Sequence, residues 1–174
     1  MKTKITFLAL IVLAMFQAQN AKAQISREIG VRILASQGSD VIFKNEKRPN
    51  RFKRFRAGLS NLCYNQFGGS DQFVFSAEAG FGWEKRKEVK ENLEFVTGWE
   101  LRAGLASFDS GSSGLVGIGF ILGFQYRITD NLLAGVETIP NIGTNFGDRF
   151  DSSISINAGV NSTAAFSIIY RFQQ

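Results

Sequence analysis

The stretch that decides the fold runs from Ile154 to Phe172 and reads ISINAGVNSTAAFSIIYRF. Nine of its ten even-numbered positions, all except Ser162, carry apolar side chains, and most positions between them are polar. Such alternation places one kind of side chain on each face of an extended chain. The stretch therefore predicts a β-strand with one apolar and one polar face, which ends on the aromatic residues Tyr170 and Phe172.

Two further stretches alternate, and in both of them the large side chains share one face. Their apolar faces read Phe73, Phe75, Ala77, Ala79, Phe81, Trp83 and Leu93, Phe95, Thr97, Trp99, Leu101, Ala103, Leu105. A secreted β-sandwich or a soluble barrel also alternates, but it turns its large apolar side chains inward. Here Gly accompanies the charged residues on the opposite face, as at Gly80 and Gly82. This placement favours a narrow, charged interior and an apolar surface against lipid, with Phe75 and Leu101 near the bilayer midplane.

These patterns predict an all-β chain that folds as an eight-stranded, antiparallel, up-and-down transmembrane barrel. The strands are expected at residues 26–35, 39–45, 51–64, 71–84, 93–106, 115–127, 132–140 and 152–172. The last run is interpreted as one strand, because a hidden two-residue hairpin near Asn161 would exchange its two faces. Aromatic residues followed by charged ones recur at Phe43, Trp83, Tyr126 and Tyr170, which predicts that these strand ends lie together on the periplasmic side.

The N-terminal segment has the features of a signal peptide. Lys2 and Lys4 precede an apolar stretch from Ile5 to Phe16, and Ala21-Lys22-Ala23 follows as a small-x-small cleavage pattern. The apolar core is too short for a transmembrane helix, which needs roughly 20 residues. We expect a signal peptide at residues 1–23 and a barrel domain at residues 24–174.

The charge of the exported form argues against a nucleic-acid partner. Without Lys2, Lys4 and Lys22, the 20 basic side chains become 17, against 15 acidic ones, so the net charge falls from +5 to +2. Nucleic-acid recognition calls for a strongly basic face, and an exported chain rarely meets nucleic acid. We therefore expect none as a partner.

With these features the chain resembles the small eight-stranded outer-membrane barrels, the group of outer membrane proteins A (its membrane domain), X and W. The resemblance covers residues 25–172 and rests on the leader, the alternation and the terminal run from Ile168 to Phe172. It implies an integral outer-membrane location, lipid as the surrounding partner, and an assembly signal read by the barrel assembly machinery at Phe166, Ile168, Tyr170 and Phe172. Two departures are the short loops and the residues Gln173 and Gln174 after the final aromatic.

The alternation directs a set of charged side chains into the barrel, and these are the candidate site residues: Glu28, Arg32, Arg54, Arg56, Glu78, Glu100, Arg102 and Glu137. Four acidic and four basic groups balance, as buried charges require. One interpretation is an ion-conducting network, and the other is a salt-bridged plug. Eight strands enclose a lumen just wide enough for side chains to fill, which favours the plug. We expect Arg102 to depend on Glu100 as a charge partner.

A basic run, Lys44, Lys47, Arg48, Arg51, Lys53, Arg54 and Arg56, has two interpretations. On the periplasmic rim it is a solvated turn. If the barrel were inverted, the run would face outward and pair with lipopolysaccharide phosphates. A second basic run, Lys85, Arg86, Lys87 and Lys90, would share that side.

The residues do not predict an enzyme. The chain contains no His, which excludes Ser-His and His-assisted mechanisms. Paired carboxylates such as Glu78 and Glu100 beside Arg would stay ionised, which makes acid-base catalysis unfavourable. No catalytic, cofactor-binding or metal-binding motif is predicted. The expected role is structural or surface interaction, and the alternative is a porin-like barrel that passes small hydrophobic or ionic solutes.

Overall fold

The computed structural model of the chain describes residues 26–35, 38–67, 70–108, 111–147, 150–158 and 164–172. The predicted signal peptide at residues 1–23 and the domain boundary at residue 24 lie outside the described residues. Among the described residues, no helix is long and apolar enough to cross a membrane.

Ten β-strands make up the described structure. They are β1 (Arg27–Leu34), β2 (Ser39–Arg48), β3 (Arg51–Phe67), β4 (Ser70–Lys90), β5 (Leu93–Phe108), β6 (Gly111–Arg127), β7 (Leu132–Thr138), β8 (Asn141–Gly147), β9 (Phe150–Asn157) and β10 (Ala164–Phe172). Successive strands pair antiparallel from β1 to β6. Two-residue turns join β2 to β3 and β4 to β5. They use Asn50 and Asn92 with φ of 61° and 65°, a left-handed conformation that Asn tolerates better than most residues.

The ten strands form eight barrel strands. β7 and β8 pair with β6 in one continuous register and are separated only by Ile139 and Pro140, whose ring nitrogen cannot donate to the ladder. β9 and β10 form the last barrel strand, and β10 closes the barrel by pairing with both β7 and β1. The predicted fold class, an all-β, eight-stranded, antiparallel up-and-down barrel, is confirmed.

The strands are strongly tilted around the barrel axis. The row of cross-strand partners that starts at Ile142 passes once around the barrel and returns at Leu132, ten residues earlier on the same barrel strand. A displacement of this size across eight strands corresponds to a tilt of about 40°. The apolar residues of this row wind around the outside: Ile142, Ile118, Leu101, Phe81, Phe55, Phe43, Ile29, Tyr170 and Leu132.

The last barrel strand differs from the single strand predicted over residues 152–172. It stops at Asn157 and resumes at Ala164. Ala164 pairs with Thr138 and Asn157 pairs with Asn141. Asn141 follows Thr138 by three residues, whereas Ala164 follows Asn157 by seven. The last barrel strand therefore has four more residues than its neighbour over the same span. Because four is an even number, Ile154 and Phe166 still face the same side.

The strand at Asn141–Gly147 was not predicted at all, because its sequence, NIGTNFG, is rich in Asn and Gly.

The prediction that Phe75 and Leu101 both lie near the bilayer midplane is also wrong. Leu101 pairs with Phe81, whereas Phe75 lies six residues nearer the end at which the β3–β4 loop lies. That separation is about 15 Å along the barrel axis.

Candidate functional site

The charged interior of the barrel is the candidate site, and strand alternation creates it. Along β3, Phe55 faces outward while Arg54 and Arg56 are buried. Their cross-strand neighbours on β4 are Gly82 and Gly80, which leave room for long side chains. A Cβ at Gly80 would lie 2.8 Å from Arg56 Nε and 3.2 Å from Glu100 Oε1. The glycines of the polar face therefore provide the volume that the ion pairs fill.

Arg54 occupies the centre of the interior and contacts three carboxylates. Its Nη2 donates to Glu137 Oε1 at 2.8 Å and its Nη1 donates to Glu137 Oε2 at 3.1 Å, a bidentate pair. Nη1 also lies 3.3 Å from Glu84 Oε2, and Nε lies 3.5 Å from Glu100 Oε2. The Arg54 side chain is fully buried, so these three anions provide its charge compensation.

The cluster nearer the β2–β3 turn is organised around Arg86 and Glu28. Arg86 donates to Glu28 through Nη1 at 2.9 Å and through Nη2 at 2.6 Å. Its Nη2 also lies 2.6 Å from Glu84 Oε1. Lys44 Nζ lies 3.0 Å from Glu84 Oε2. Arg171 Nε donates to Glu28 Oε1 at 2.8 Å, which ties the last strand to the first. This cluster lies at the barrel end at which β1 begins and β10 ends.

Toward the other end, Arg56 connects Glu100, which it shares with Arg54, to two further carboxylates. Its Nη2 lies 2.7 Å from Glu100 Oε1, and its Nη1 lies 3.4 Å from Asp40 Oδ2. Nη2 also donates to Glu78 Oε1. Arg56 thereby connects the centre of the interior to the layer nearest the β3–β4 loop.

Two more arginines complete that layer. Arg32 pairs with Asp40 at 2.8 Å and with Glu137 at 2.8 Å, and both of its partners are buried. Arg102 pairs with Glu78 through Nε and Nη2, each at 2.8 Å from a carboxylate oxygen. The Arg102 side chain is 16% exposed and that of Glu78 is 27% exposed, so water reaches this pair.

The ion pairs form one continuous network that runs between the two barrel ends. It includes at least one residue from each of the eight barrel strands. Its acidic members are Glu28, Asp40, Glu78, Glu84, Glu94, Glu100 and Glu137, and its basic members are Arg32, Lys44, Arg54, Arg56, Arg86, Arg102, Arg127 and Arg171. Among these, Arg127 is the most exposed, at 38% of its side chain, so the buried part of the network is balanced in charge.

Apolar side chains fill the interior space between the charged groups. One cluster consists of Ile42, Leu133 and Ile169, and a second of Val96, Ile121 and Ile139, all of them buried. The packing is looser beside the end of β1 and the start of β2. A cavity of about 960 Å³ lies there, and its lining includes Asp40, Gly58 and Glu78 together with the exposed Val31 and Leu59. The barrel is therefore packed along most of its length and hollow toward one end.

All eight residues proposed from the sequence participate in this network, at the positions given above. Arg102 pairs with Glu78, however, so the expected Arg102–Glu100 partnership is wrong. The sequence interpretation also missed members: Asp40, Lys44, Glu84, Arg86, Glu94, Arg127 and Arg171.

Part of the basic run does not form a solvated turn. Lys44, Arg54 and Arg56 are buried inside the barrel, and so is Arg86 of the second run. Alternation already directs Arg54 and Arg56 inward, and it could also have revealed the other two, since Lys44 follows the outward Phe43 and Arg86 shares a face with Gly82. The remaining members, Lys47, Arg48, Arg51, Lys53, Lys85, Lys87 and Lys90, are exposed.

The four residues of the proposed assembly signal, Phe166, Ile168, Tyr170 and Phe172, are exposed on the outer face of β10. The rings of Tyr170 and Phe172 contact each other edge to face, with centroids 5.0 Å apart. Tyr170 lies opposite Ile29 on β1 and Leu132 on β7, so this segment joins the two ends of the sheet.

The interior offers little chemistry beyond charge pairing. Its carboxylates are engaged by Arg or Lys, as at Glu84, Glu100 and Glu137, and so none of these is positioned as a general acid or base. No group of three or more His, Cys, Asp or Glu residues that could hold a metal ion occurs in the described ranges.

Comparison with solved structures identifies the same fold in an outer-membrane protein. A major outer membrane protein from Thermus thermophilus aligns with a TM-score of 0.51 and 12% sequence identity, over 86% of this chain and 100% of that chain. The N-terminal β-barrel domain of Pseudomonas aeruginosa OprF aligns with a TM-score of 0.41 and 10% identity, over 85% of this chain and 96% of that chain. No protein-family model and no curated protein sequence matches the chain.

Proposed function

We propose that the protein is an integral outer-membrane β-barrel whose lumen is closed by its ion pairs, and whose role is structural or one of surface interaction. The observation that carries this proposal is the inverted distribution of side chains. Large apolar residues such as Leu101, Phe120 and Ile168 are exposed outside, while Arg54 and Glu100 are buried inside. A soluble barrel of this size would expose that apolar surface to water, whereas lipid accommodates it.

The lipid-facing interpretation predicts a penalty for charge that depends on depth. Leu101→Arg places a cation in the middle of the apolar exterior and is expected to destabilise the barrel by about 2–4 kcal/mol. Val89→Arg is the matched control, because Val89 is exposed near the end of β4, beside Lys90. Its expected cost is about 0–1 kcal/mol. Denaturant titrations of both variants in lipid vesicles measure the difference, and equal small effects would favour a soluble barrel.

The closed lumen is supported by the continuity of the interior packing. Arg54 and its three carboxylates occupy the centre, and the Arg86 cluster lies at the end at which β1 begins and β10 ends. An aqueous path would have to displace buried ion pairs, each of which loses several kcal/mol when one partner is left uncompensated. The cavity of about 960 Å³ beside the start of β2 favours the alternative function, passage of small hydrophobic or ionic solutes, only if the central cluster opens.

A conductance measurement separates these two functions. The folded protein in a planar bilayer is expected to carry no steady current, because the central cluster blocks the lumen. The double variant Glu78→Ala with Arg102→Ala enlarges the cavity but leaves Arg54 in place, so it is expected to remain closed too. An established porin in the same membrane is the positive control. Steady, ion-selective current through the unmodified protein would favour transport instead.

The proposal assigns the protein no catalytic activity and no cofactor, since its interior carboxylates are paired with cations. The partners that it implies are the surrounding outer-membrane lipid and the barrel assembly machinery, which would engage the terminal segment from Phe166 to Phe172. The exposed side chains of that segment, and its position where the sheet closes, support this role.

A further inference from the structure

One sector of the outer surface is strongly basic and carries no part of the interior network. On the outward face of β2, β3 and β4, near the β2–β3 turn, the side chains of Lys47, Arg51, Lys53, Lys85 and Lys87 are all exposed. We refer to these five residues as the basic face. Within the part of the chain that the structure describes, none of the five forms an ion pair.

The acidic residues of β2 and β4 in this sector, Glu46, Glu84 and Glu88, alternate with the basic residues and so lie on the opposite face of the sheet, where Glu88 is exposed. Glu84 is buried in the interior among Lys44 and Arg54. Glu46, near the turn, accepts hydrogen bonds from Ser26 Oγ and the Asn50 amide. The exterior of this sector is therefore cationic, although the barrel interior is balanced.

The cations are also placed where they repel one another. Arg51 and Lys85 are direct cross-strand partners, and Lys53 lies two residues along the strand from Arg51 on the same face. Like charges directly opposite each other destabilise an antiparallel pair. A bound anion shared by these three side chains would remove that repulsion, and Arg and Lys both bind phosphate oxygens well.

An aromatic surface adjoins the basic face on the side toward the barrel middle. Lys53 lies opposite Trp83, which lies opposite Trp99, and Phe120 follows on β6. The two indole rings pack with centroids 4.5 Å apart, and both are substantially exposed. These basic and aromatic residues line a groove of about 530 Å³ together with Thr97, Gly98 and Glu84. The carboxylate of Glu84 is paired with Lys44 in the barrel interior. A ligand with an anionic head and an apolar tail matches this order of side chains.

We propose that this groove binds an anionic phospholipid, with its phosphate held by Arg51, Lys53 and Lys85 and its acyl chain packed over Trp83 and Trp99. This inference rests on the proposed membrane location. Both chain ends of the barrel, at Arg27 and Phe172, lie at the same end as the groove. A chain that reaches the membrane from the periplasm leaves its two ends there when the strand number is even, so the leaflet beside the groove is the phospholipid leaflet. Lipopolysaccharide would occupy the opposite leaflet.

The two tryptophans of the chain are both in the groove, and so fluorescence quenching reports on this site alone. The folded protein is reconstituted in phosphatidylcholine vesicles that contain brominated phosphatidylcholine or, at equal mole fraction, brominated phosphatidylglycerol. Bromine on the acyl chain quenches tryptophan on contact. Quenching is expected to favour phosphatidylglycerol by at least about threefold in apparent affinity, and high salt should reduce this preference.

The triple variant Arg51→Gln, Lys53→Gln, Lys85→Gln tests the phosphate contacts. It is expected to lose the preference while retaining quenching by both lipids and the gel shift of a folded barrel. Lys90→Gln is the matched control, since Lys90 is exposed on β4 outside the groove, and it is expected to keep the preference.

The outcomes separate the lipid site from the membrane location. Equal quenching by the two lipids in the unmodified protein, or an unchanged preference in the triple variant, would overturn the lipid site alone. Absence of quenching by either lipid would overturn the lipid-facing exterior, and with it the proposed function. If unbrominated lipopolysaccharide displaced the brominated lipid more strongly than unbrominated phosphatidylglycerol did, the assignment to a phospholipid would be wrong.

Discussion

Deletion of residues 170–174 is expected to abolish assembly and to leave a protease-sensitive species in the periplasm. The deletion removes the pairing of Tyr170 with Ile29 and Leu132, which joins the last strand to both of its neighbours. It also removes Arg171 and leaves Glu28 with one cation fewer in a buried site. Together these losses open the sheet at its closing strand, where unpaired backbone groups have no water to bind within a membrane.

Membrane fractionation and the mobility of unheated samples on gels measure this result. Deletion of Gln173 and Gln174 alone is the matched control and is expected to leave assembly intact, because the strand ends at Phe172. Tyr170→Ser with Phe172→Ser keeps the backbone pairing and removes the aromatic side chains, and so it isolates their recognition by the assembly machinery. If the longer truncation still gave a heat-modifiable band in outer membranes, the assembly-signal proposal would fail.

Arg54→Ala is expected to cost about 3–5 kcal/mol of unfolding free energy, the largest loss among single substitutions in the network. Arg54 is fully buried and neutralises Glu84, Glu100 and Glu137. Its removal leaves Glu137 with Arg32 as its remaining partner. The double variant Arg54→Ala with Glu137→Ala is expected to be less destabilised than the single one, because the buried carboxylate that loses its bidentate partner is gone as well.

Arg102→Ala is the comparison for that experiment. Water reaches the Arg102–Glu78 pair, and Glu78 keeps Arg56 as a partner, so the expected loss is clearly smaller. Urea titrations of the four proteins in vesicles provide the free energies. A loss for Arg54→Ala no larger than that for Arg102→Ala would contradict the view that the centre of the lumen is dry and closed.

The sequence predicted the number of barrel strands because alternation is a local property. Residues such as Phe81 and Trp83, spaced by two, identify an outward face wherever the strand lies in the barrel. The same rule assigns Lys44 and Arg86 to the interior. The basic run around them was interpreted by its charge instead, and this gave a rim position for side chains that are buried.

The partners within the network depend on information that alternation does not contain. Arg102 and Glu100 are close in sequence, yet Arg102 binds Glu78 on the neighbouring strand and Glu100 binds Arg54 and Arg56. Which side chains meet is set by the ten-residue displacement around the barrel and by the direction in which each long side chain extends. The strand at Asn141–Gly147 was missed for another reason, since its pairing with β6 outweighs a poor intrinsic strand propensity.

The distribution of charge between the two faces has a consequence for fidelity during assembly. If β3 paired with β4 one residue out of register, Arg54 and Arg56 would point into lipid and Phe55 into the lumen. A slip of two residues would keep every side chain on its proper face. It would, however, displace Arg54 and Arg56 by about 7 Å along the strand, away from Glu137 and Glu100. The interior ion pairs thus discriminate against the slip that the apolar exterior alone would accept, and the correct register is the one in which every buried charge finds its counterpart.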